Sequence, residues 1–529
     1  MNTSGAMFKK IAHGGILFSM GMIGSNALQL IAGLLVIRLV STTEFGFISL
    51  AYVLNNVLAT IAGLGFISGL PRFMAAEKNG LQNPRVTAAV SSAMLLGLIV
   101  GTTLSVLMYT SAPFLSYAFG KDELADILKL FSLLVVPLST LRILSAVFRG
   151  LGNTKAKVLF VDLALSASRL LLIWLVLVVG AGFESVLLAY IASAWLAVLM
   201  FTLYTVRTLR SGLRPRIDWG VAKELLFFSL PLLGVGLAAN VMGWSGTLVL
   251  GALSSTDEVA FFNVPMRVVV LIQLPLVAVS YLYLPVVTDL IANGGQDKLR
   301  EMYAITTKWA FLLTLPLLLY LFLDTEFIIG LLFGERYHGI EWVLRILVIG
   351  YSLNTLVGPN GTTLMSAGSN STVFTGVLLA AGGAVALCLL LVPQYGAMGA
   401  ALGTALAQFV SNGYLSIMLY IKMGIKPFSI AYLKPVILTI ILSVGTAFNM
   451  GLEDQASWVW HALFFFLLVV FSLTSPITTM AMTDVDVELL AGVERRFLKS
   501  TRFSDRLDKR LAVSSVDTKK RRRRSNKKR

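Results

Sequence analysis

Cysteine occurs once in the 529 residues and histidine three times. Cys388 sits inside an apolar run, so neither a disulfide framework nor a thiolate metal site is available. His13, His338 and His461 are far apart, and the chain has no H-E-x-x-H, no phosphate-binding P-loop and no G-x-S-x-G elbow. No catalytic residue, metal ligand set or cofactor is therefore expected, and without a nucleotide site ATP is excluded as the direct energy source. Charge is also scarce: Asp, Glu, Lys and Arg make up 13% of the chain, about half the share in a soluble domain. Apolar side chains fill the difference, at 57% hydrophobic with a mean hydropathy of +0.82. Such a chain is not an ordinary soluble fold. Runs of about 20 apolar residues satisfy their backbone in hydrocarbon as helices, so an all-α polytopic membrane protein is expected, in the cell membrane.

The net charge of +16 resembles a nucleic-acid signal until it is located. From Thr483 to Arg529 there are sixteen Lys and Arg against seven Asp and Glu, so this tail supplies +9. Its Lys519 to Arg524 run suits anionic lipid head groups, and no nucleic-acid partner is expected. Fourteen spans are expected, at about 11–38, 45–70, 86–111, 127–149, 157–180, 183–206, 223–250, 258–287, 303–324, 341–366, 372–392, 396–421, 430–450 and 457–480. Lys9/Lys10, Arg72/Lys78/Arg85, Arg149/Lys155/Lys157, Arg207/Arg210/Arg214/Arg216, Lys298/Arg300, Lys422/Lys426 and the tail all fall on one side. The positive-inside rule makes that side, and both termini, cytoplasmic. Lys121 and the loop bearing Arg336 are the exceptions, and each has acids beside it.

The chain repeats itself. At an offset of 214, Asn26 falls on Asn240, Thr42 and Glu44 on Thr256 and Glu258, Pro71 on Pro285, and Phe119-Gly120 on Phe333-Gly334. Beyond two inserted residues the offset becomes 216, where Gly152 falls on Gly368 and Gly180-Ala181 on Gly396-Ala397. A duplicated six-helix unit follows. The expected divisions are residues 1–211 for the first bundle, 212–425 for its repeat, 426–482 for two further spans and 483–529 for the tail.

Ionisable and amide side chains within spans are the informative minority, because a charge at mid-helix costs about 2.5 to 3.5 kcal/mol on insertion scales. Arg169 and Arg267 lie well inside the fifth and eighth spans. They either bond neighbouring helices or line a water-filled cavity, where guanidinium forks suit phosphate oxygens. Asn26, Asn55, Asn240 and Gln273 are candidate cavity donors, although membrane asparagines also serve as glue between helices. Asp162 is the acid best placed for ion coupling, two turns from Arg169 and too far for a direct pair. Arg142 and Arg345 are nearer span ends and are expected at the membrane interface. Prolines 137, 231, 265, 275 and 316 are expected to kink their helices.

The Ser41-Thr42-Thr43-Glu44-Phe45-Gly46 turn, the Phe148-Arg149-Gly150-Leu151-Gly152-Asn153-Thr154 segment and the duplicated fourteen-span layout carry a resemblance. Over residues 8 to 480 the chain resembles Wzx-type polysaccharide flippases of the multidrug/oligosaccharidyl-lipid/polysaccharide exporter superfamily. The resemblance implies translocation of a polyprenyl-diphosphate-linked oligosaccharide from the cytoplasmic to the outer leaflet, by alternating access of two bundles, with no covalent change. A monomer is expected, with Arg169 and Arg267 meeting the diphosphate or acidic sugars. A lipid II flippase is similar in span number and cationic cavity. A multidrug and toxin extruder is similar in architecture but has twelve spans and buried acids, whereas no acid lies between Lys10 and Arg38 here. A membrane glycosyltransferase would need acidic pairs in a large external loop, and none is evident.

Overall fold

The computed structural model describes residues 3–77, 80–209, 217–426, 430–451, 457–479, 481–482 and 486. The basic run expected on lipid head groups lies outside the described residues. The described chain is helical: α1 (Thr3–Leu39), α2 (Thr42–Ala62), α3 (Phe66–Ala76), α4 (Pro84–Ala118), α5 (Leu124–Phe131), α6 (Val135–Gly150), α7 (Thr154–Lys157), α8 (Leu165–Val179) and α9 (Phe183–Leu209) come first. They are followed by α10 (Trp219–Leu253), α11 (Thr256–Val269), α12 (Leu274–Ala292), α13 (Gln296–Leu323), α14 (Thr325–Phe333), α15 (Glu341–Val357), α16 (Asn360–Ser366) and α17 (Asn370–Met423). α18 (Ile430–Met450) and α19 (Trp458–Thr478) close the series.

Among the described residues, thirteen helical stretches are long and apolar enough to cross a membrane. The expected fourteen differ by one because spans eleven and twelve run together as α17, broken at Gly396, whose φ of 52° and ψ of −130° are not helical. Only a glycine fits that corner. A Cβ there would lie 2.4 Å from Glu258 Oε2, and the same carboxylate accepts from the Ala397 amide. The equivalent corner in the first repeat is Gly180, which ends α8 with a φ of 68°.

Proline breaks are repaired from neighbouring helices. Pro137 has no N–H for the Leu133 carbonyl, and Trp195 Nε1 of α9 donates to that carbonyl at 3.2 Å. Pro316 likewise frees the Leu312 carbonyl, which accepts from Ser472 Oγ of α19. Pro137 lies in the first turn of α6, just after a 3₁₀ turn at Ser132–Leu134, and a 3₁₀ turn at Val270–Gln273 separates Pro265 from Pro275. α19 is also fixed by His461 Nδ1, 2.7 Å from Asp324 Oδ2 at the end of α13.

The largest core joins both repeats. Phe45 and Ile48 of α2 pack with Val259 and Phe262 of α11, and with Leu344 and Val348 of α15. At the end of the bundle where α1 and α10 finish, here termed the short-loop end, Gly46 of α2 lies against the Thr256 carbonyl, so close that a Cβ would come within 2.1 Å. At the opposite, basic-loop end, Arg85 of α4 pairs with Glu224 of α10 at 2.6 Å.

Candidate functional site

Between these two closures lies a cavity of about 350 Å³. Its wall is built from Asn26, Gln29 and Leu30 of α1, Tyr52 and Val53 of α2, Trp244 of α10, Asn263 and Arg267 of α11, and Tyr351 of α15. Helices of both repeats therefore contribute. Among the described residues the lining contains no carboxylate, and Arg267 is its charge.

Arg267 packs across α1 at Gly33, where a Cβ would make ordinary van der Waals contact with the Arg267 Cδ at 3.6 Å. Its guanidinium carbon lies 5.7 Å from the Phe45 ring centroid, a cation–π arrangement. Among the described residues Arg267 forms no ion pair. A half-buried cation without a counter-ion is costly, and an anion entering the cavity would relieve that cost.

Arg169 does not line the cavity itself. It stands behind Tyr52, its guanidinium carbon 5.6 Å from that ring and 4.5 Å from the ring of Tyr190. Its Nε is 3.5 Å from Ser193 Oγ, and its buried Nη2 has no hydrogen-bond partner. Tyr52 thus separates a second guanidinium, one with no ion pair among the described residues, from the space that Arg267 faces.

Arg142 has partners that the sequence did not reveal. Expected at the interface, it turns inward from α6 because α2 offers a polar stripe at helical spacing. Tyr52, Asn56 and Thr60 recur every fourth residue, so they share one face. Arg142 Nη2 donates to Asn56 Oδ1 at 2.9 Å, and its Nη1 donates to Thr60 Oγ1. Asn240 Nδ2 of α10 donates to the same Thr60 hydroxyl at 3.1 Å, bringing the second repeat to the stripe. Two first-repeat arginines thereby meet one line of α2 side chains. The stripe's i, i+4, i+8 spacing was the available signal. Arg345, also expected at the interface, lies against Trp342 and donates to Thr325 Oγ1 at 3.2 Å.

The remaining candidates divide. Asn26 and Gln29 line the cavity, with the Asn26 amide donating to its own helix at Met22 O, 2.8 Å, which leaves the amide oxygen for the cavity. Asn55 is fully buried and donates to Ala51 O at 3.2 Å. Gln273 lies in the 3₁₀ turn, two residues beyond the lining residue Leu271. Asp162 sits in a π-helical turn, Val158–Ala164, and pairs with Lys157 at 3.0 Å. That turn frees the Asp162 carbonyl, which accepts from Ser25 Oγ of α1 at 2.8 Å and Ser166 Oγ at 2.6 Å. The sequence carries no pattern that would have marked this turn.

Residues 35–341 match the family described as polysaccharide biosynthesis protein. Teichuronic acid biosynthesis protein TuaB of Bacillus subtilis (strain 168) is 22% identical over 381 residues, which is 68% of this chain and 74% of that protein. The lipid III flippase of Escherichia coli (strain K12) is 26% identical over 249 residues, 45% of this chain and 58% of that protein. Among solved structures, the lipid II flippase MurJ in an inward closed conformation superposes with a TM-score of 0.71 at 14% identity, covering 88% of this chain and all of that one. An inward-facing multidrug resistance MATE family transporter of the MOP superfamily gives 0.65 at 17% identity, over 78% of this chain and 98% of that one. The two superpositions establish a fold shared with these multi-pass membrane proteins.

Proposed function

The chain belongs to the polysaccharide biosynthesis protein family, and from that membership we propose that it is a flippase for a polyprenyl-diphosphate-linked oligosaccharide. The observation that carries this reading is Arg267, a cation without a counter-ion on the wall of a cavity free of carboxylates among its described lining residues. A diphosphate supplies the missing charge, and a planar guanidinium donates to two of its oxygens at once. Arg169 behind Tyr52, and Arg142 farther along the α2 stripe, extend the cationic path toward the basic-loop end. Asn26 and Gln29 are suited to sugar hydroxyls.

The two repeats rock about the cavity, so that it faces the basic-loop end and the short-loop end in turn. With the basic loops in the cytoplasm, the lipid-linked glycan passes from the cytoplasmic to the outer leaflet. No covalent bond is made or broken, so the protein is not an enzyme. The lipid III and lipid II flippases, with which the chain shares sequence and fold respectively, support this substrate class. Extrusion of organic cations is the weaker reading, because a cation would meet Arg267 and no acid on the described wall. Asp162 is retained as the proposed ion-coupling group, by exchange of its Lys157 partner. Reconstitution into proteoliposomes with a fluorescent polyprenyl-diphosphate glycan tests the assignment; movement of that probe is expected, and movement of an organic cation instead would reject it.

A further inference from the structure

Lys121 and Arg336 are the two cations that break the one-sided distribution of basic loops, and the acids beside them are not their partners. Lys121 lies in the turn between α4 and α5. Its Nζ crosses to the second repeat and donates to the Gly251 and Ser254 carbonyls, at 2.7 and 2.9 Å. Arg336 lies in the turn after α14. Its Nη1 crosses the other way and donates to the Val40 carbonyl at 2.8 Å. Val40 is the residue after the last of α1, and Ser254 the residue after the last of α10.

Val40 and Ser254 are 214 positions apart, the offset of the repeat. The turns that supply the cations, at Phe119-Gly120 and Phe333-Gly334, are separated by the same offset. One contact is thus made twice, each repeat capping the first helix of the other. The donors themselves are not counterparts: the first turn reads Lys121-Asp122 and the second Glu335-Arg336. Both orders deliver a cation to the same carbonyl. The final carbonyls of a helix have no intrahelical donor and carry its negative pole, so a cation there satisfies both needs. Burial pulls the Lys121 ammonium below the ordinary lysine value, as befits a cation held by neutral carbonyls. Arg38, in the last turn of α1, adds a third crossing to the Leu331 and Leu332 carbonyls that end α14.

We propose that Lys121 and Arg336 form a reciprocal latch that holds the short-loop end of the bundle shut, each by capping the first helix of the opposite repeat. This rests on the reading that the two ends open in turn. Release leaves neutral carbonyls to water, not an unpaired buried carboxylate. Each cation then has an exposed acid beside it, Asp122 or Glu335, to receive it. The latch can therefore be broken and remade in every cycle without stranding a charge.

The test measures distance and uses no substrate, so it stands or falls apart from the transport assignment. With Cys388→Ala removing the single native thiol, spin labels at Tyr117→Cys and Trp342→Cys mark exposed positions at the short-loop end of the two repeats. Electron–electron distance distributions are recorded in lipid nanodiscs for this parent, for Lys121→Met, for Lys121→Met/Arg336→Met and for Lys121→Arg. The parent is expected to show the short distance. The double variant should raise the ratio of long to short distances about tenfold, since two helix-terminal charge contacts are lost. Lys121→Met alone should give part of that rise, and Lys121→Arg, which keeps a donor cation, should resemble the parent. An unchanged distribution in the double variant would overturn the latch, as would a Lys121→Arg shift equal to that of Lys121→Met.

Discussion

Thr43 Oγ1 donates a 2.7 Å hydrogen bond to Asp257 Oδ1, and the two residues are each other's counterparts, 214 positions apart. The contact joins counterpart positions of the two sequence repeats at the short-loop end. There Gly46 also meets Thr256, and Lys121 and Arg336 cross between the halves. Oxidation of Thr43→Cys/Asp257→Cys, made in Cys388→Ala, is expected to give an intramolecular disulfide that maleimide cannot label. Transport should fall to background and return on reduction. A cross-linked protein that still transports would show that this end need not open.

Arg142 is expected to act through its position on the α2 stripe. Arg142→Ala removes two hydrogen bonds from a charged donor, a loss of about 1.5 to 3 kcal/mol for each such bond. Thermal unfolding in detergent should shift down accordingly, and transport should fall with it. Arg142→Lys should recover stability only in part, because one ammonium does not reproduce the planar fork that spans Asn56 and Thr60.

The Gly396 corner makes a two-part prediction. Gly396→Ala places a Cβ against the Glu258 carboxylate and forces a residue with a side chain into a glycine conformation, costing about 1 to 3 kcal/mol for the backbone alone. Adding Glu258→Ala should relieve the clash but not the backbone strain. The double variant should therefore unfold at a temperature above Gly396→Ala but below the parent. Full recovery would mean that the backbone carries no strain.

Lys308 of α13 forms a buried ion pair with Asp486, which also accepts from Trp309 Nε1 at 2.6 Å. Breaking a buried pair from one side costs about 3 to 5 kcal/mol, while replacing both partners with apolar groups is often neutral. Lys308→Met should sharply lower the unfolding temperature, and Lys308→Met/Asp486→Leu should regain most of it. Equal loss in both would show that the pair itself, not the stranded carboxylate, matters.

Hydropathy alone was enough to recover the spans, because each apolar run long enough to cross a bilayer must form a helix there. The single difference arose at Gly396, where two helices meet without an intervening loop. The resemblance carried by the Ser41 turn and the Phe148–Thr154 segment agrees with the family match. Arg267 was legible as a cavity candidate because a mid-span charge is expensive; the same signal singled out Arg169, which stands behind Tyr52 and not in the lining. Tyr52, which separates them, has no such signal, since an aromatic residue in an apolar span is usually packing. The partners of Arg142 were not legible, because distance from a span end says nothing about which way a side chain turns. Asn55 looked like Asn26 in sequence, yet one is buried against its own helix and the other lines the cavity. Lys121 and Arg336 were visible as exceptions in loop charge, but their partners are backbone carbonyls, which sequence does not mark.

The most direct measurement is the leaflet distribution of lipid-linked oligosaccharide in cells that lack this gene, complemented with the parent, Arg267→Lys or Arg267→Ala. Loss of the gene should trap the lipid-linked glycan in the cytoplasmic leaflet, and the parent should restore export. Arg267→Ala should restore little of it, with a rate loss of about tenfold or more for a charge-assisted contact of 1.5 to 3 kcal/mol, and Arg267→Lys should fall between. Unchanged leaflet distribution without the gene, or full rescue by Arg267→Ala at equal expression, would contradict flipping through a cationic cavity.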